Sequence, residues 1–269
     1  MNITSIGSQG LYRDYAGLSS GKRISSAADD AAGLTISEKL ETQSNGYDVG
    51  KDNAATSQNM LNVADGALAS ITDSLQRMRE LSIQAANDAV YGDSEKSAIQ
   101  QEIEQLKQGI SDIAKNTQFN TMNLLDGTMK TSNVATNSNG FGMQINMPNA
   151  TLEALGIADY DVTKDFDISK IDDALDKVTS SRTGLGAASN RLDYLMNYNS
   201  YASFNLTASK SKLEDLDIPK AITEKRKNEI LEQYQIMMKK KEIESEGMVR
   251  LLKFWIILKY SVMICKKIA

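Results

Sequence analysis

From Ile36 onward, apolar and small residues recur in alternating steps of four and three: Leu40, Gln43, Tyr47, Gly50, Ala54, Ser57, Leu61, Ala64, Leu68, Ile71, Leu75, Met78, Ser82 and Ala85. Such an alternation marks a helix that packs along one face over its whole length. At 1.5 Å per residue it would extend roughly 75 Å, more than a small globule can use. Gly50 and the small seam residues dilute the pattern, so an ordinary amphipathic bundle helix is the competing reading. Both readings make the segment structural.

The same alternation returns in Ile99, Ile103, Leu106, Ile110 and Ile113, which predicts a second helix from Ser94 to Lys115. The loop Asn87 to Asp93 joins it to the first helix as an antiparallel hairpin. A third seam, Ile171, Leu175, Val178, Leu185 and Leu192, has a neighbour through Leu195, Leu206, Leu213 and Leu216. It predicts a helix from Ser169 to Asp217, long enough to lie antiparallel to the first with Leu68, Ile71, Leu75 and Leu192 between them. Residues 118–167 break the pattern with Asn/Gly/Thr-rich stretches around the alternating run Phe141 to Met147, the signature of a β-hairpin. The expected fold is mainly α: long antiparallel, coiled-coil-like helices with a small β-hairpin insert.

Composition sharpens this picture. Only two prolines, Pro148 and Pro219, interrupt the chain, and five phenylalanines with one tryptophan cannot furnish a large aromatic core. The net charge of −5 is uneven, because residues 220–269 carry twelve Lys/Arg against six Asp/Glu. No stretch joins clustered basic residues with stacking aromatics, so no nucleic-acid partner is expected. Cys265 stands alone and can form no internal disulfide. Met1 to Thr4 lack the regions of a cleavable signal peptide. The apolar run Phe254 to Cys265 contains Lys259 and falls short of the roughly 20 residues that cross a bilayer, so no membrane span is expected.

Catalytic chemistry finds no footing. With no histidine, the H-E-x-x-H pair of a zinc protease cannot exist, and Cys265 has no imidazole to activate it. No phosphate-binding or dinucleotide glycine fingerprint is present. The acid pairs Asp29/Asp30 and Asp172/Asp173 fall in predicted first turns of helices, where capping and the helix dipole explain them. No cofactor, metal or enzymatic activity is expected.

Certain strings carry more information than periodicity does. LSSGKRISSAADDAAGL, Leu18 to Leu34, is a Ser/Gly turn leading into a helix start, with Ser26 as N-cap and Asp29 as its acidic capping partner. LQRMRELSIQAAN follows at Leu75 to Asn87, NTQFNTMNLLDG at Asn116 to Gly127, LGAASNRLDY at Leu185 to Tyr194 and NLTASKSKLEDLDIPKAI at Asn205 to Ile222. In this order they resemble the N- and C-terminal signatures of bacterial flagellins.

The resemblance implies a structural subunit that polymerises with itself into the helical flagellar filament, outside the cell, for motility. It further implies export by the flagellar type III pathway, with an export chaperone and cap proteins as partners. The expected organisation is an inner core segment and connector at 1–34, an outer helical part at 35–127 and a variable β insert at 128–167. The outer helical part resumes at 168–217, an inner core helix occupies 218–252, and an atypical apolar tail ends the chain at 253–269. The coiled-coil seam is assigned to Leu61, Leu68, Ile71, Leu75, Met78, Ile99, Ile103, Leu106, Leu185 and Leu192. Arg77, Leu81, Glu102 and Gln105 match the surface through which the Toll-like flagellin receptor of a host recognises the family, on what is expected to be an exposed strip; Leu106 departs where recognised members commonly have arginine.

Other departures are a short segment ahead of Leu18, with few apolar anchors (Ile3, Ile6, Leu11, Tyr12, Tyr15), and the tail KFWIILKYSVMICKKIA. Read-through or a frame change is the preferred origin of the tail, and it is expected to hinder polymerisation. Sedimentation of full-length protein against protein truncated after Leu252 would test that. The rival readings are a hook-filament junction protein, a minor non-polymerising flagellin paralogue and, from a different class, a membrane-active protein.

Overall fold

The computed structural model describes residues 15–87 and 89–268 and, within them, the side chains of all but residues 246, 251 and 256–268. The anchors Ile3, Ile6, Leu11 and Tyr12, and the Cys265 side chain, lie outside that description. Helix α1, described over residues 15–20, leads through a short extended stretch to α2 (Ala31–Ala85) and α3 (Asp93–Asn116). The small strands β1 (Gln118–Phe119) and β2 (Met122–Asn123) and the hairpin β3 (Thr131–Ala135) and β4 (Gly142–Asn146) follow. A single turn α4 (Leu152–Leu155) precedes the long helices α5 (Ser169–Glu214) and α6 (Ile218–Ile268). The fold is mainly α with a small antiparallel β element.

The chain divides into two units. One is Lys39–Ala208; the other comprises the described residues up to Glu38 and from Ser209 onward. In Lys39–Ala208, α2 and α5 run antiparallel. Arg79 Nε donates to Asp172 Oδ1 at 2.6 Å, Arg182 Nε to Asp65 Oδ1 at 2.8 Å, and Gln58 Nε2 to Asp193 Oδ1 at 2.8 Å, so the partners climb α2 as they descend α5. Between them lie Leu61, Leu68, Ile71, Leu75 and Met78 of α2 with Val178, Leu185 and Leu192 of α5, all buried. Removing one such side chain from water contributes about 1.5–3 kcal/mol, so this seam accounts for most of what holds the helices together. Helix α3 adds Ile99, Ile103 and Ile110 to the same core.

Two stretches of the expected seam sit on different residues. In the first turns of α2 the buried positions are Gly33, Ser37 and Ser44, while Ile36 is half exposed and Gln43 exposed. The small serines permit close approach and are hydrogen-bonded across it: Ser44 Oγ lies 2.9 Å from Ser203 Oγ and 3.0 Å from Thr207 Oγ1. In α3 the most buried positions past Ile103 are Lys107, Ile110 and Ala114, and Leu106 and Ile113 are only partly buried against the core. A straight helix repeats every 3.6 residues, not 3.5, so the buried face drifts off a strict heptad. Lys107 is admitted because its aliphatic stem lies in the core while its ammonium reaches Glu104 Oε1 at 3.0 Å and Tyr160 O at 3.4 Å.

The insert is a hairpin in which Thr131 pairs with Asn146 and Ala135 with Gly142. Its inward residues Val134, Met143 and Ile145 are buried. At the tip, Gly140 takes φ +79° and donates to Asn137 O at 3.0 Å. The base of the tip is fastened to the helices through its own main chain. Asn199 Nδ2 donates to Thr136 O at 2.7 Å and Asn53 Nδ2 to Ala135 O at 3.0 Å. Gly50 makes this approach possible, because a Cβ there would stand 2.4 Å from Thr136 O.

The NTQFNTMNLLDG string folds as a miniature hairpin, β1 with β2, whose turn places Asn120 and Thr121 at φ 47° and 64°. It delivers Leu124 and Leu125 fully buried into the core, after which Asp126 closes a turn by accepting from Thr128 N at 2.9 Å and Asn123 Nδ2 at 2.8 Å. These bonds, the Thr128 hydroxyl first, hold the Asp126 carboxyl below its ordinary range.

Candidate functional site

Three surfaces emerge from these elements: the connector near the chain ends, a charged strip on α2 and α3, and apolar faces with no cover among the described residues.

In the connector, Arg23 N donates to Glu214 O at 2.6 Å and Leu216 N to Gly21 O at 2.9 Å, a short antiparallel pairing. The Glu214 carboxylate is its hub. It accepts from Ser37 Oγ at 2.9 Å, pairs with Lys22 Nζ and has Lys210 Nζ 3.6 Å away, with only 8% of its side chain exposed. The helix start differs from the expected cap. Ser26 and Asp29 form a separate turn, in which Asp29 Oδ2 accepts from Ser26 N at 3.1 Å and Ser26 Oγ at 3.0 Å. Asp30 caps α2 itself, accepting from Gly33 N at 2.8 Å. Two acids in succession thus close two successive turns, so the signature string sets a corner and then a helix.

The hub makes this unit sensitive to acid. The Lys22 ammonium, aided by the Ser37 hydroxyl and Lys210, draws the Glu214 carboxyl below its ordinary range against the opposing effect of burial. A lowered carboxyl pKa contributes stability that is present above the unfolded value and is lost as pH falls through the folded one. Thermal melts of the chain should therefore show stability declining below about pH 4, and Glu214→Gln should flatten that decline while lowering stability at neutral pH by about 1–3 kcal/mol. An unaltered pH profile in the variant would remove Glu214 from this role.

On the strip, Arg77 Nε donates to Glu102 Oε1 at 2.9 Å and Arg77 Nη1 to Glu80 Oε2 at 3.1 Å, all three side chains being about half exposed or more. Gln105 is exposed beside them. Leu81 does not belong to this surface. It is 2% exposed, because the face of α2 that carries Met78 and Ala85 also carries Leu81 against the core. Sequence spacing could have indicated this, since Leu81 lies three and four residues from those seam positions.

The apolar surfaces were missed by the seam reading, which looked only for buried stripes. On α6, Ile230, Leu231, Tyr234, Ile236, Met237, Met238, Ile243 and Met248 are all exposed. Ile236, Met237 and Met238 are consecutive, so they spread around more than half of the helix and no single partner helix can cover them. This helix continues without a break through the tail to Ile268. On α5, Tyr194, Tyr198, Tyr201 and Phe204 are exposed. Among the described residues no helix is long and apolar enough to cross a membrane, and no cluster of acids and cysteines is arranged to hold a metal ion.

Comparison with known proteins places these features. Residues 5–130 match the bacterial flagellin N-terminal helical region and residues 168–242 the bacterial flagellin C-terminal helical region. A flagellin of Halalkalibacterium halodurans is 35% identical over 244 residues, covering 88% of this chain and 89% of its own. The flagellar filament 33 kDa core protein of Treponema phagedenis is 36% identical over 244 residues, covering 83% and 85%. Among solved structures, a putative flagellar hook-associated protein from Vibrio parahaemolyticus superposes with a TM-score of 0.57 at 20% identity, covering 70% of this chain and 100% of that one, a likeness of fold alone.

Proposed function

Because this chain belongs to the bacterial flagellins, we propose that it works as a structural subunit of the flagellar filament, adding to its own copies through helices whose apolar surfaces the single chain leaves uncovered. The observation that carries this reading is α6: a helix with exposed Ile, Met and Tyr on all sides, Ile236 to Met238 above all, needs several neighbours at once. A helical polymer supplies them, and a two-chain complex does not. Purified protein seeded with filament fragments should yield filaments by negative-stain electron microscopy. Protein that stays monomeric at every concentration would overturn the reading.

Being exported, the subunit would leave by the flagellar type III route, with a chaperone masking the exposed α6 face before assembly and cap proteins receiving it at the tip. A hook-filament junction protein shares this architecture but sits in few copies; a stoichiometric count per filament separates the two.

The strip supports recognition by the host's Toll-like flagellin receptor through Arg77, Glu102 and Gln105, with Leu81 contributing from beneath by fixing the position of α2. Arg77 stands at the centre, held toward Glu102 by charge. Replacing Arg77 with alanine should lower reporter-cell activation about tenfold, as loss of a central arginine does at an interface. The parent response should itself be weaker than that of flagellins with arginine at the position of Leu106. Activation that is indifferent to Arg77→Ala would exclude the strip.

A further inference from the structure

We infer that the aromatic stripe Tyr194, Tyr198, Tyr201 and Phe204 on α5 is a contact through which one copy of the chain binds another, an inference that rests on the filament-subunit reading. These residues recur in steps of four, three and three, which places them along one face of the helix. They are 77%, 57%, 72% and 72% exposed. The core does not use them: the buried positions of the same stretch are Leu192, Asn199 and Ser203. Tyr47 of α2 meets Tyr198 edge to face, with ring centroids 6.0 Å apart, and extends the patch onto the neighbouring helix.

Area and residue type together indicate what covers the stripe. An aromatic side chain buries about 150–250 Å² when fully enclosed. Four rings that are largely uncovered therefore offer on the order of 500 Å², a large share of the roughly 800 Å² that one partner brings to a stable interface. Tyrosine suits a surface that is wet in the free subunit and dry in the polymer, because its hydroxyl keeps a hydrogen bond in either setting while the ring supplies rigid contact area. Between Leu192 and Ala208 the only charged residue is Asp193, and the cations that border the patch along its own helices are two, Arg191 one turn before Tyr194 and Lys51 one turn past Tyr47, too few for the basic cluster that a phosphate-bearing membrane or nucleic acid requires. A second copy remains, and it must present a different face: two stripes meeting each other would close a symmetric pair, whereas a filament grows through unlike surfaces.

Serine and tyrosine have nearly equal helix propensity, so Tyr201→Ser combined with Phe204→Ser removes the rings without disturbing α5. The full-length double variant should melt with the parent chain, yet its critical concentration in seeded sedimentation should rise about tenfold or more, as when central aromatic contacts are lost. Tyr201→Phe, which keeps the ring, should grow like the parent. If the double variant melts early, Tyr194→Ser and Tyr201→Ser, taken singly, decide the matter by the same measurement. Parent and ring-deleted variants with equal critical concentrations would overturn the stripe and leave the subunit reading intact. A parent chain that grows no filament at all would overturn both.

Discussion

Leu75→Asp is expected to destabilise the Lys39–Ala208 unit by about 4 kcal/mol or more, enough to abolish its cooperative thermal transition near ambient temperature. Leu75 is fully buried in the seam, with Leu68, Ile71 and Met78 along the same face of α2. A carboxylate there gains no cationic partner, since the basic groups nearby, Arg77 and Arg79, point outward to Glu102 and Asp172. Loss of the leucine contacts adds to the cost of the charge. Val63→Asp is the matched control: it makes a similar change in the same helix, but at a residue that is 42% exposed, and it should shift the melting temperature little. Two variants with equal melting temperatures would mean that the seam is not where α2 is held.

The second large effect is one of opposite signs at two glycines of the same helix. Replacing either with alanine relieves the helix of a residue about 0.5–1 kcal/mol less favourable than alanine. At Gly66 nothing lies within 4 Å of the added carbon, so the gain is realised and Gly66→Ala should stabilise the chain. At Gly50 the added carbon meets Thr136 O at 2.4 Å, Thr136 C at 2.8 Å and Asn199 Nδ2 at 3.0 Å. A backbone carbonyl cannot move aside alone, so the hairpin base must lift, breaking the bond from Asn199. Gly50→Ala should then cost about 1–3 kcal/mol despite its better propensity. Urea unfolding of the two variants measures both signs. Equal shifts would show that the hairpin does not rest on α2 there.

Helix order, the hairpin and the seam from Leu61 to Met78 were legible in the sequence because those seam positions are apolar and their spacing is regular. The first turns of α2 were not. There the sequence offers Ile36 as the natural seam residue, yet Ser37 is buried, and its Oγ is satisfied by Glu214, a residue far along the chain that no local pattern announces. Lys107 was invisible for a related reason: a hydropathy pattern treats lysine as one polar object, although its stem and its charge occupy different surroundings. Leu81 was misplaced because its assignment came from a resemblance about recognition, while its own spacing from Met78 and Ala85 already argued for the interior. The exposed aromatics of α5 stood in plain view as a composition feature, but exposure itself is decided by packing, and only the fold separates a tyrosine that fills a core from one that faces water.

The antiparallel pairing of α2 with α5 also restricts how a gene for such a chain can change in length. Each added residue turns the remainder of a helix by about 100°. A single-codon insertion near Ala64 would thus swing Leu68, Ile71 and Leu75 away from Leu185 and Leu192 and break the register of Asp65 with Arg182 or of Arg79 with Asp172. No such penalty applies at the Asn137–Phe141 tip, where nothing downstream depends on rotation and the hairpin is anchored through carbonyl groups that any residue possesses. Insertions and deletions surviving in descendants of this sequence should therefore accumulate at that tip, while α2 and α5 keep their codon count even as their side chains drift.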